Sequence, residues 1–436
     1  MSSAARHGWS FSVGTLVIGQ GAPTITFLVY LFFWLLYLDA PASYQALLVW
    51  LGVPLGPYPF FDLDAVLTAI ECARRGVDVT LPNACMGGGL FQYSPLLLKA
   101  GALGLGAAQR VPVGLGLDLV FVLSLFALPR PRRWSEFWLV LLAMLSSSTL
   151  WAMESANIDV ALYLLVLGGV HLLLRGRGVR LVGYATLLGA ATIKFYPACL
   201  MVLAAPARPV RFMAITLAGF AAAMLLAVAF RSELSHVLPH LPQGSVGVIF
   251  SASCLPLGLA SLVSGGDGDH GIGLAMRVGS TIILIGVCAT MTRRLVPAIL
   301  PGFRALPQQE RILLVAGAVS ITFCFLAARN FMYREIFLLL TLPGLWELER
   351  GAPTRALGAR FRLASRVVVG LQWSTFFQMG LVRITTEPLV GLRVVAGIWV
   401  LRELLWWWLV SLFVSIILCF LCDAPVLAGW RPRVAA

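Results

Sequence analysis

One polar segment, residues 59–95, decides how this chain is organised, and it reads PFFDLDAVLTAIECARRGVDVTLPNACMGGGLFQYSP. It interrupts a sequence of 436 residues in which 59% are hydrophobic and only 12% are charged. Because a soluble domain carries about a quarter charged residues, this composition predicts an all-α, polytopic membrane protein. We therefore expect the polar segment to lie outside the membrane, where its side chains are solvated.

The first part of this segment has the pattern of an amphipathic helix. Apolar residues recur at helical spacing after Asp62, and polar residues occupy the opposite face. This predicts a helix that lies on the membrane surface and ends at Gly76. A second short helix is expected to begin at Tyr93-Ser94-Pro95, after a glycine-rich loop. The apolar face of the first helix consists of Val66, Ala69, Ile70 and Ala73.

Positively charged residues stand at the ends of the apolar segments, as at 129–133 and 175–180. Such residues are retained in the cytoplasm during insertion, so they orient the chain. They also account for the net charge of +13 without a nucleic-acid partner. The pattern predicts one polytopic domain, residues 1–436, with about ten spans, which include the segments 336–346 and 367–382. Its predicted connections are the extracytoplasmic loops 39–110 and 231–271 and the basic cytoplasmic linker 347–366.

The apolar segment 181–204 departs from this pattern. Arginines flank both of its ends, and Lys194 and Pro197 lie near its middle. Both ends therefore prefer the cytoplasm, and the proline interrupts the helical hydrogen bonds. We expect two half-helices that enter the membrane and return, with their free backbone groups facing protein or water.

Two pairs of cysteines have a spacing that calls for interpretation. Cys72 and Cys85 share the first external loop, in an oxidising compartment. They either form a disulfide that closes the loop or stay apart because the helix separates their Cα atoms. Cys419 and Cys422 form a lone C-x-x-C pair without the second pair of a metal site, so no metal or redox role is expected.

Four passages follow one another along the chain. They are Asp62-Leu63-Asp64-Ala65-Val66 with Ala69, Ala73 and Gly76; Tyr93-Ser94-Pro95-Leu96; GAATIKFYP at 189–197; and RNFMYRE at 329–335, with Pro343 beyond it. They resemble the motifs of glycosyltransferase family 87, formerly DUF2029, in the GT-C class of membrane enzymes that use polyprenyl-phosphate sugars. Two positions depart from the family pattern. Ser94 replaces a proline, and the aromatic residue that usually follows the loop aspartate is absent, with Leu67 in that neighbourhood.

The resemblance implies a GT-C fold and the inverting transfer of a hexose or pentose to an extracytoplasmic lipid or glycan acceptor. The donor would be a polyprenyl-phosphate sugar, and neither a metal nor a further cofactor would be needed. The implied location is a bacterial-type plasma (inner) membrane, with the active site facing the extracytoplasmic side. The implied partners are membrane lipids, the sugar donor and the acceptor.

A sugar hydroxyl is a poor nucleophile, so a carboxylate must accept its proton as the new bond forms. The resemblance assigns this role to Asp62, and Asp64 is the second candidate. The structural alternative is that Asp62 only caps the helix that follows it. Asn157 and Asp159, in a polar turn between two apolar segments, either line the cavity or cap a span.

The leaving lipid phosphate needs positive charge, and arginine binds phosphate well. Arg329 and Arg334 flank a predicted external turn, and Lys194 lies beside the broken helix. Alternatively, the arginines pair with Glu335 or with lipid headgroup phosphates. Lys194 alternatively forms a salt bridge within the helix hairpin or extends its ammonium group towards the cytoplasm. The other candidates for substrate binding are Tyr93, Tyr196, Asn330, Tyr333 and His236.

Two other classes of function remain open on these observations. A transporter or flippase of a lipid-linked or small substrate also tolerates broken helices and buried charges. Such a protein often has matching interrupted spans in its two halves, whereas only the segment 181–204 has the pattern of an interrupted span here. A non-catalytic partner in an envelope assembly would be unaffected biochemically by neutralisation of Asp62.

Overall fold

The computed structural model describes residues 13–237, 247–264, 271–384 and 388–425. The described residues form a helical membrane protein whose strands are limited to one two-residue pair. Its α-helices are α1 (Val13–Asp39), α2 (Pro41–Trp50), α3 (Phe61–Arg74), α4 (Arg110–Ser124), α5 (Trp134–Met144), α6 (Ser147–Glu154), α7 (Ile158–Leu173), α8 (Arg177–Ile193), α9 (Pro209–Ala229), α10 (Arg231–Val237), α11 (Cys254–Ser264), α12 (Gly271–Arg304), α13 (Gln308–Ala327), α14 (Leu342–Arg350), α15 (Arg355–Gln372), α16 (Ser374–Ile384) and α17 (Pro388–Asp423).

Seven helical segments in the described part of the chain are long and apolar enough to cross a membrane. This confirms the prediction of a polytopic helical membrane protein. Two further apolar helices, Ile158–Leu173 and Gly178–Ile193, are shorter. The seven segments are Ile18–Asp39, Ala107–Ala127, Trp134–Glu154, Pro209–Ala229, Gly271–Arg304, Gln308–Ala327 and Val395–Asp423.

Two of the predicted spans in the C-terminal third differ from the structure. The segment predicted to cross at 336–346 is divided between a 3₁₀ helix, Met332–Leu340, and α14. The segment predicted at 367–382 is divided between α15 and α16. The basic stretch 347–366 is largely helical, and Arg362 of α15 donates to Glu349 of α14 at 2.8 Å. This ion pair fixes the two helices against each other.

Helix α13 forms the centre of the bundle, because every residue from Ile312 to Thr322 is buried. It packs against α14, α17 and the 3₁₀ helix Met332–Leu340. A Cβ atom at Gly317 would lie 2.6 Å from Thr341 Cγ2 and 2.8 Å from the Phe337 carbonyl oxygen. Glycine at this position therefore lets the 3₁₀ helix approach α13 closely.

At two places an α-helix ends and the chain continues through an extended residue or strand into a 3₁₀ helix. Helix α8 stops at Ile193, Lys194 is extended (φ −137°, ψ 143°), and a 3₁₀ helix follows over Tyr196–Ala204. This confirms the predicted break in 181–204. A second break follows α13 at the turn predicted between Arg329 and Arg334, where Asn330–Phe331 forms a strand that was not predicted, before the 3₁₀ helix Met332–Leu340. The strand pairs antiparallel with Ile249–Phe250, and so its backbone groups are satisfied without a helix.

The predicted amphipathic helix is α3, which buries Leu63, Val66, Ile70 and other apolar residues and ends before Gly76 (φ 81°). The predicted second helix is a 3₁₀ helix, Pro95–Leu103, capped by Ser94. The start of α3 is anchored to the end of α6. There, the Phe60 amide donates to the Glu154 carbonyl oxygen at 2.7 Å, and the Leu63 amide donates to the Ser155 carbonyl oxygen at 3.3 Å.

The Cys72–Cys85 disulfide is present, with a Cα–Cα distance of 6.1 Å. It connects the buried face of α3 to the glycine-rich loop, and Cys419 and Cys422 are free thiols. The helix therefore does not hold the first two cysteines apart. The bridge restrains the loop that precedes Tyr93.

We expect the double substitution Cys72→Ala and Cys85→Ala to lower the free energy of unfolding by about 2–4 kcal/mol, because the bridge restricts the unfolded chain. Thermal unfolding in detergent with and without reductant measures this loss. The matched control is Cys422→Ala, a half-buried free cysteine, which should cost about 1 kcal/mol or less. Peptide mass mapping that finds Cys72 unlinked in the oxidised protein would contradict the bridge.

Candidate functional site

A buried carboxylate, Asp159, stands at the centre of a polar cluster. Its Oδ2 atom accepts a hydrogen bond from Lys194 Nζ at 2.6 Å and another from Arg334 Nε at 3.1 Å. Its Oδ1 atom accepts from the Tyr196 hydroxyl at 2.8 Å. The Asp159 side chain is fully buried, whereas those of Lys194 and Arg334 are 12% and 18% exposed. Two cations thus share one carboxylate and leave an excess of positive charge.

The local fold explains how these groups meet. Asn157 caps α7 because its Oδ1 accepts from the Asp159 amide at 2.9 Å, so Asp159 lies in the first helical turn. The positive end of the α7 dipole favours a carboxylate there. Lys194 and Arg334 each come from one of the two chain breaks. The breaks therefore turn both cations towards the start of α7.

Asp62 adjoins this cluster through Asn157, whose Nδ2 atom donates to Asp62 Oδ2 at 2.6 Å. Asp62 lies inside α3, which begins after Phe60 without a side-chain cap, so capping does not explain this carboxylate. Burial raises the pKa of Asp62 above its ordinary value, although the Asn157 hydrogen bond and the Lys194 charge act in the opposite direction. Asp62 is thus a desolvated carboxylate with an oriented side chain.

A cavity of about 270 Å³ opens beside the cluster. Tyr93, Lys194, Tyr196 and Arg334 line it together with apolar residues of α9 and α10 and the Glu233 side chain of α10. Lys194 Nζ lies 5.0 Å from the centre of the Tyr93 ring, and the Arg334 guanidinium carbon lies 5.5 Å from that of Tyr196. The cavity therefore has two cations supported by aromatic faces. Asp62 lies behind this lining, next to Asn157.

Asp64 belongs to a different cluster from Asp62. Its Oδ2 atom accepts from the Tyr58 hydroxyl at 2.7 Å, and Arg110 Nη1 lies 3.8 Å from its Oδ1 atom. The Arg110 guanidinium also lies over the Tyr58 ring, at 4.5 Å from its centre. The two carboxylates of the polar segment therefore have separate partners, as expected for residues two positions apart on a helix.

Tyr333 and His236 lie close to the cluster. Tyr333 packs edge-on against Trp151 at 5.2 Å and directly precedes Arg334 in the chain. His236 of α10 lies 3.4 Å from the Thr80 hydroxyl, measured at Nδ1, and Thr80 lines the cavity. The structure thus brings both candidates to the rim of the same site.

Two other candidates have different surroundings. Asn330 is buried, and its Nδ2 atom donates to the Ala328 carbonyl oxygen at 2.7 Å and to that of Cys324, which closes the end of α13. Arg329 is half-buried and makes no side-chain hydrogen bond or ion pair to a described residue. Glu335 does not pair with Arg334, because its Oε2 atom accepts from the Ser148 hydroxyl at 2.6 Å.

Asn157 and Asp159 are the residues whose importance sequence reasoning understated. Of the two roles left open, Asn157 performs the capping of α7 and also orients Asp62, whereas Asp159 binds the two cations that line the cavity. The available signal was the polar turn between two apolar segments. Within the described residues, no three His, Cys, Asp or Glu side chains are grouped as metal ligands would be.

The comparisons with known proteins add no relative to this description. No family model, no curated protein and no solved structure matches the chain. The resemblance to glycosyltransferase family 87 therefore rests on the four sequence passages. The function has to be argued from the geometry of Asp62, Asp159 and the two cations.

We expect Asp159→Asn to lower the free energy of unfolding by about 3–5 kcal/mol, because it leaves two buried cations without their carboxylate. Lys194→Met should cost less, since Asp159 keeps Arg334. Thermal unfolding in detergent of the two single variants and the double variant gives the coupling between the residues.

The control for this comparison is Asp423→Asn, which removes a partly exposed carboxylate paired with Arg304 and Arg311. It should cost about 1 kcal/mol or less, because water screens the pairs. Equal losses for Asp159→Asn and Asp423→Asn would show that the buried cluster has no special structural weight.

Proposed function

We propose that this chain is a GT-C membrane glycosyltransferase that moves a hexose or pentose from a polyprenyl-phosphate sugar to an extracytoplasmic lipid or glycan acceptor. One observation carries the proposal. The half-buried Asp62 carboxylate is joined through the Asn157 side chain to the start of α7, where the buried Asp159 carboxylate holds two cations at a cavity. This arrangement places a base and an anion site on either side of Asn157.

The base is the Asp62 carboxylate. The acceptor hydroxyl oxygen attacks the anomeric carbon and gives its proton to Asp62, while the bond from that carbon to the phosphate oxygen breaks. The electron pair leaves with the lipid phosphate, and attack from the opposite face inverts the anomeric configuration. Asp159 is a poorer base, because Lys194, Arg334 and Tyr196 all stabilise its ionised form.

The leaving phosphate is assigned to Lys194 and Arg334. Arg334 binds Asp159 through Nε, and its two terminal nitrogens make no hydrogen bond to a described residue. A guanidinium offers these nitrogens to a phosphate in a bidentate pair, and Lys194 adds a second charge. Because the Lys194 and Arg334 side chains are mostly buried, their charges stabilise the phosphate more than they would in water.

A transporter of an anionic, lipid-linked substrate is the second candidate function. The observation that favours it is the second chain break, since two interrupted segments meet at one charged site. Transporters build substrate sites from such interrupted helices. The sequence argued against a transporter because only one span had the pattern of an interrupted span. With two breaks, that argument no longer holds.

We expect Asp62→Asn to lower sugar transfer by about 10²–10⁴-fold, because the acceptor loses its base. The purified protein in lipid nanodiscs would be offered a panel of labelled polyprenyl-phosphate sugars and envelope-lipid acceptors. Asp64→Asn is the matched control, and its activity should stay near that of the wild type. Loss of transfer in Asp64→Asn with retention in Asp62→Asn would reverse the assignment.

The rate of transfer should rise with pH and level off above a midpoint higher than the ordinary aspartate pKa, because burial raises the Asp62 pKa and only the ionised carboxylate accepts a proton. Asn157→Ala removes a hydrogen bond that favours the ionised form. The midpoint should therefore move to higher pH in this variant. Tyr58→Phe, which changes only a partner of Asp64, should leave it in place.

Reconstituted liposomes separate the two candidate functions. A transferase gives product with donor and acceptor on one side of the membrane, whereas a transporter moves a labelled lipid-linked sugar between leaflets without changing it. Net movement of intact donor in Asp62→Asn, with no product in the wild type, would replace the transferase proposal by the transporter.

A further inference from the structure

A second cavity lies between α1, α2, α4 and α6, away from the cluster around Asp159. Its volume is about 50 Å³, which is room for about four water molecules. Two carboxylates, Asp118 of α4 and Glu154 of α6, line it. The remaining polar and aromatic lining includes Thr26, Tyr30, Phe33, Trp34, Tyr37 and Tyr44.

The two carboxylates make no side-chain hydrogen bond or ion pair to a described residue, whereas the buried carboxylates of Asp159, Glu335 and Glu403 each accept at least one hydrogen bond. Asp118 is 3% exposed and Glu154 is 4% exposed, yet neither makes an ion pair with a described residue. Asp118 Oδ1 and Glu154 Oε2 are buried without a hydrogen-bond partner. By contrast, the buried carboxylate of Asp159 accepts three hydrogen bonds. Unpaired acids in such a place are costly, so their retention points to a missing partner.

The aromatic residues complete the surroundings that an organic cation prefers. The ring centres of Tyr37 and Tyr44 are 5.5 Å apart, and those of Phe33 and Tyr44 are 6.1 Å apart. The faces of such rings carry partial negative charge and bind ammonium groups. Trp34 is 37% exposed, so one wall of the cavity reaches the outer surface of the bundle.

We propose that this cavity binds the ammonium group of a small organic cation, or of a lipid headgroup that carries one, between Asp118, Glu154 and the aromatic side chains. The volume fits a primary or quaternary ammonium group, and the rest of the ligand extends past Trp34. A metal ion would use several oxygen ligands at close range, whereas this lining is mainly apolar, with aromatic and aliphatic side chains. The inference is independent of the proposed transferase activity.

The cavity adjoins the first external loop. Pro59 and Phe60 line it, and the Phe60 amide donates to the Glu154 carbonyl oxygen at the start of α3. A ligand held by Glu154 would therefore lie near the helix that carries Asp62. Binding at this site and the chemistry at Asp62 can nevertheless be tested separately, because binding is measured without a sugar donor.

The test uses the full-length protein in nanodiscs of phosphatidylglycerol and compares choline with its neutral isostere, 3,3-dimethylbutan-1-ol. Calorimetry, with empty nanodiscs as the blank, should show that choline binds at least about tenfold more tightly, because only choline carries the charge. The double variant Asp118→Asn and Glu154→Gln should weaken choline binding by roughly a hundredfold.

Glu335→Gln is the matched control, because Glu335 is a buried carboxylate with an unpartnered Oε1 atom that does not line this cavity. It should bind choline like the wild type. Tyr44→Leu, which removes a ring but no charge, should weaken binding by about tenfold. Unchanged elution and thermal unfolding in each variant show that it is folded.

Equal binding of choline and its isostere, or choline binding that survives in the double variant, would overturn the proposal. Failure of choline to bind the wild type would overturn it as well. A second series replaces part of the lipid with phosphatidylethanolamine. If phosphatidylethanolamine in the nanodisc weakens choline binding, the site binds a lipid headgroup. If choline binding is unchanged, the site binds a soluble amine.

Discussion

The hydrogen bonds of the buried Asp159 carboxylate with Lys194, Arg334 and Tyr196 are the interaction on which the rest of the structure depends. A buried carboxylate is tolerated only when such partners surround it, and a buried cation has the same requirement. The three polar side chains come from two distant parts of the chain. Their meeting point at the start of α7 therefore fixes how those parts pack.

The two chain breaks follow from this requirement. A continuous helix would carry Lys194 or Arg334 past the start of α7, whereas an extended residue followed by a 3₁₀ helix redirects the chain. Broken helices leave backbone groups that need partners inside a membrane. At the second break, pairing of Asn330–Phe331 with Ile249–Phe250 and the Asn330 side chain supply them. The breaks are thus part of a satisfied polar core.

The same arrangement separates two kinds of carboxylate. Asp159 is bound directly by the cations, whereas the half-buried Asp62 carboxylate accepts a hydrogen bond from Asn157 Nδ2. The anchoring of α3 to the end of α6 and the Cys72–Cys85 bridge hold Asp62 in that position. The pair at Asp118 and Glu154 is a third case, because it has aromatic neighbours and no described cation.

The sequence by itself determined the membrane-spanning helical class, the amphipathic helix after Asp62 and the break near Lys194. These features depend on composition and on neighbouring residues, so a local pattern is sufficient. Only the tertiary structure decided that Asp159 is the shared partner of Lys194 and Arg334, which lie 35 and 175 positions away. It also decided the second break and the division of the predicted spans 336–346 and 367–382 into shorter helices. Pairing between distant residues leaves no periodic signal in the chain, because it is set by how the helices pack.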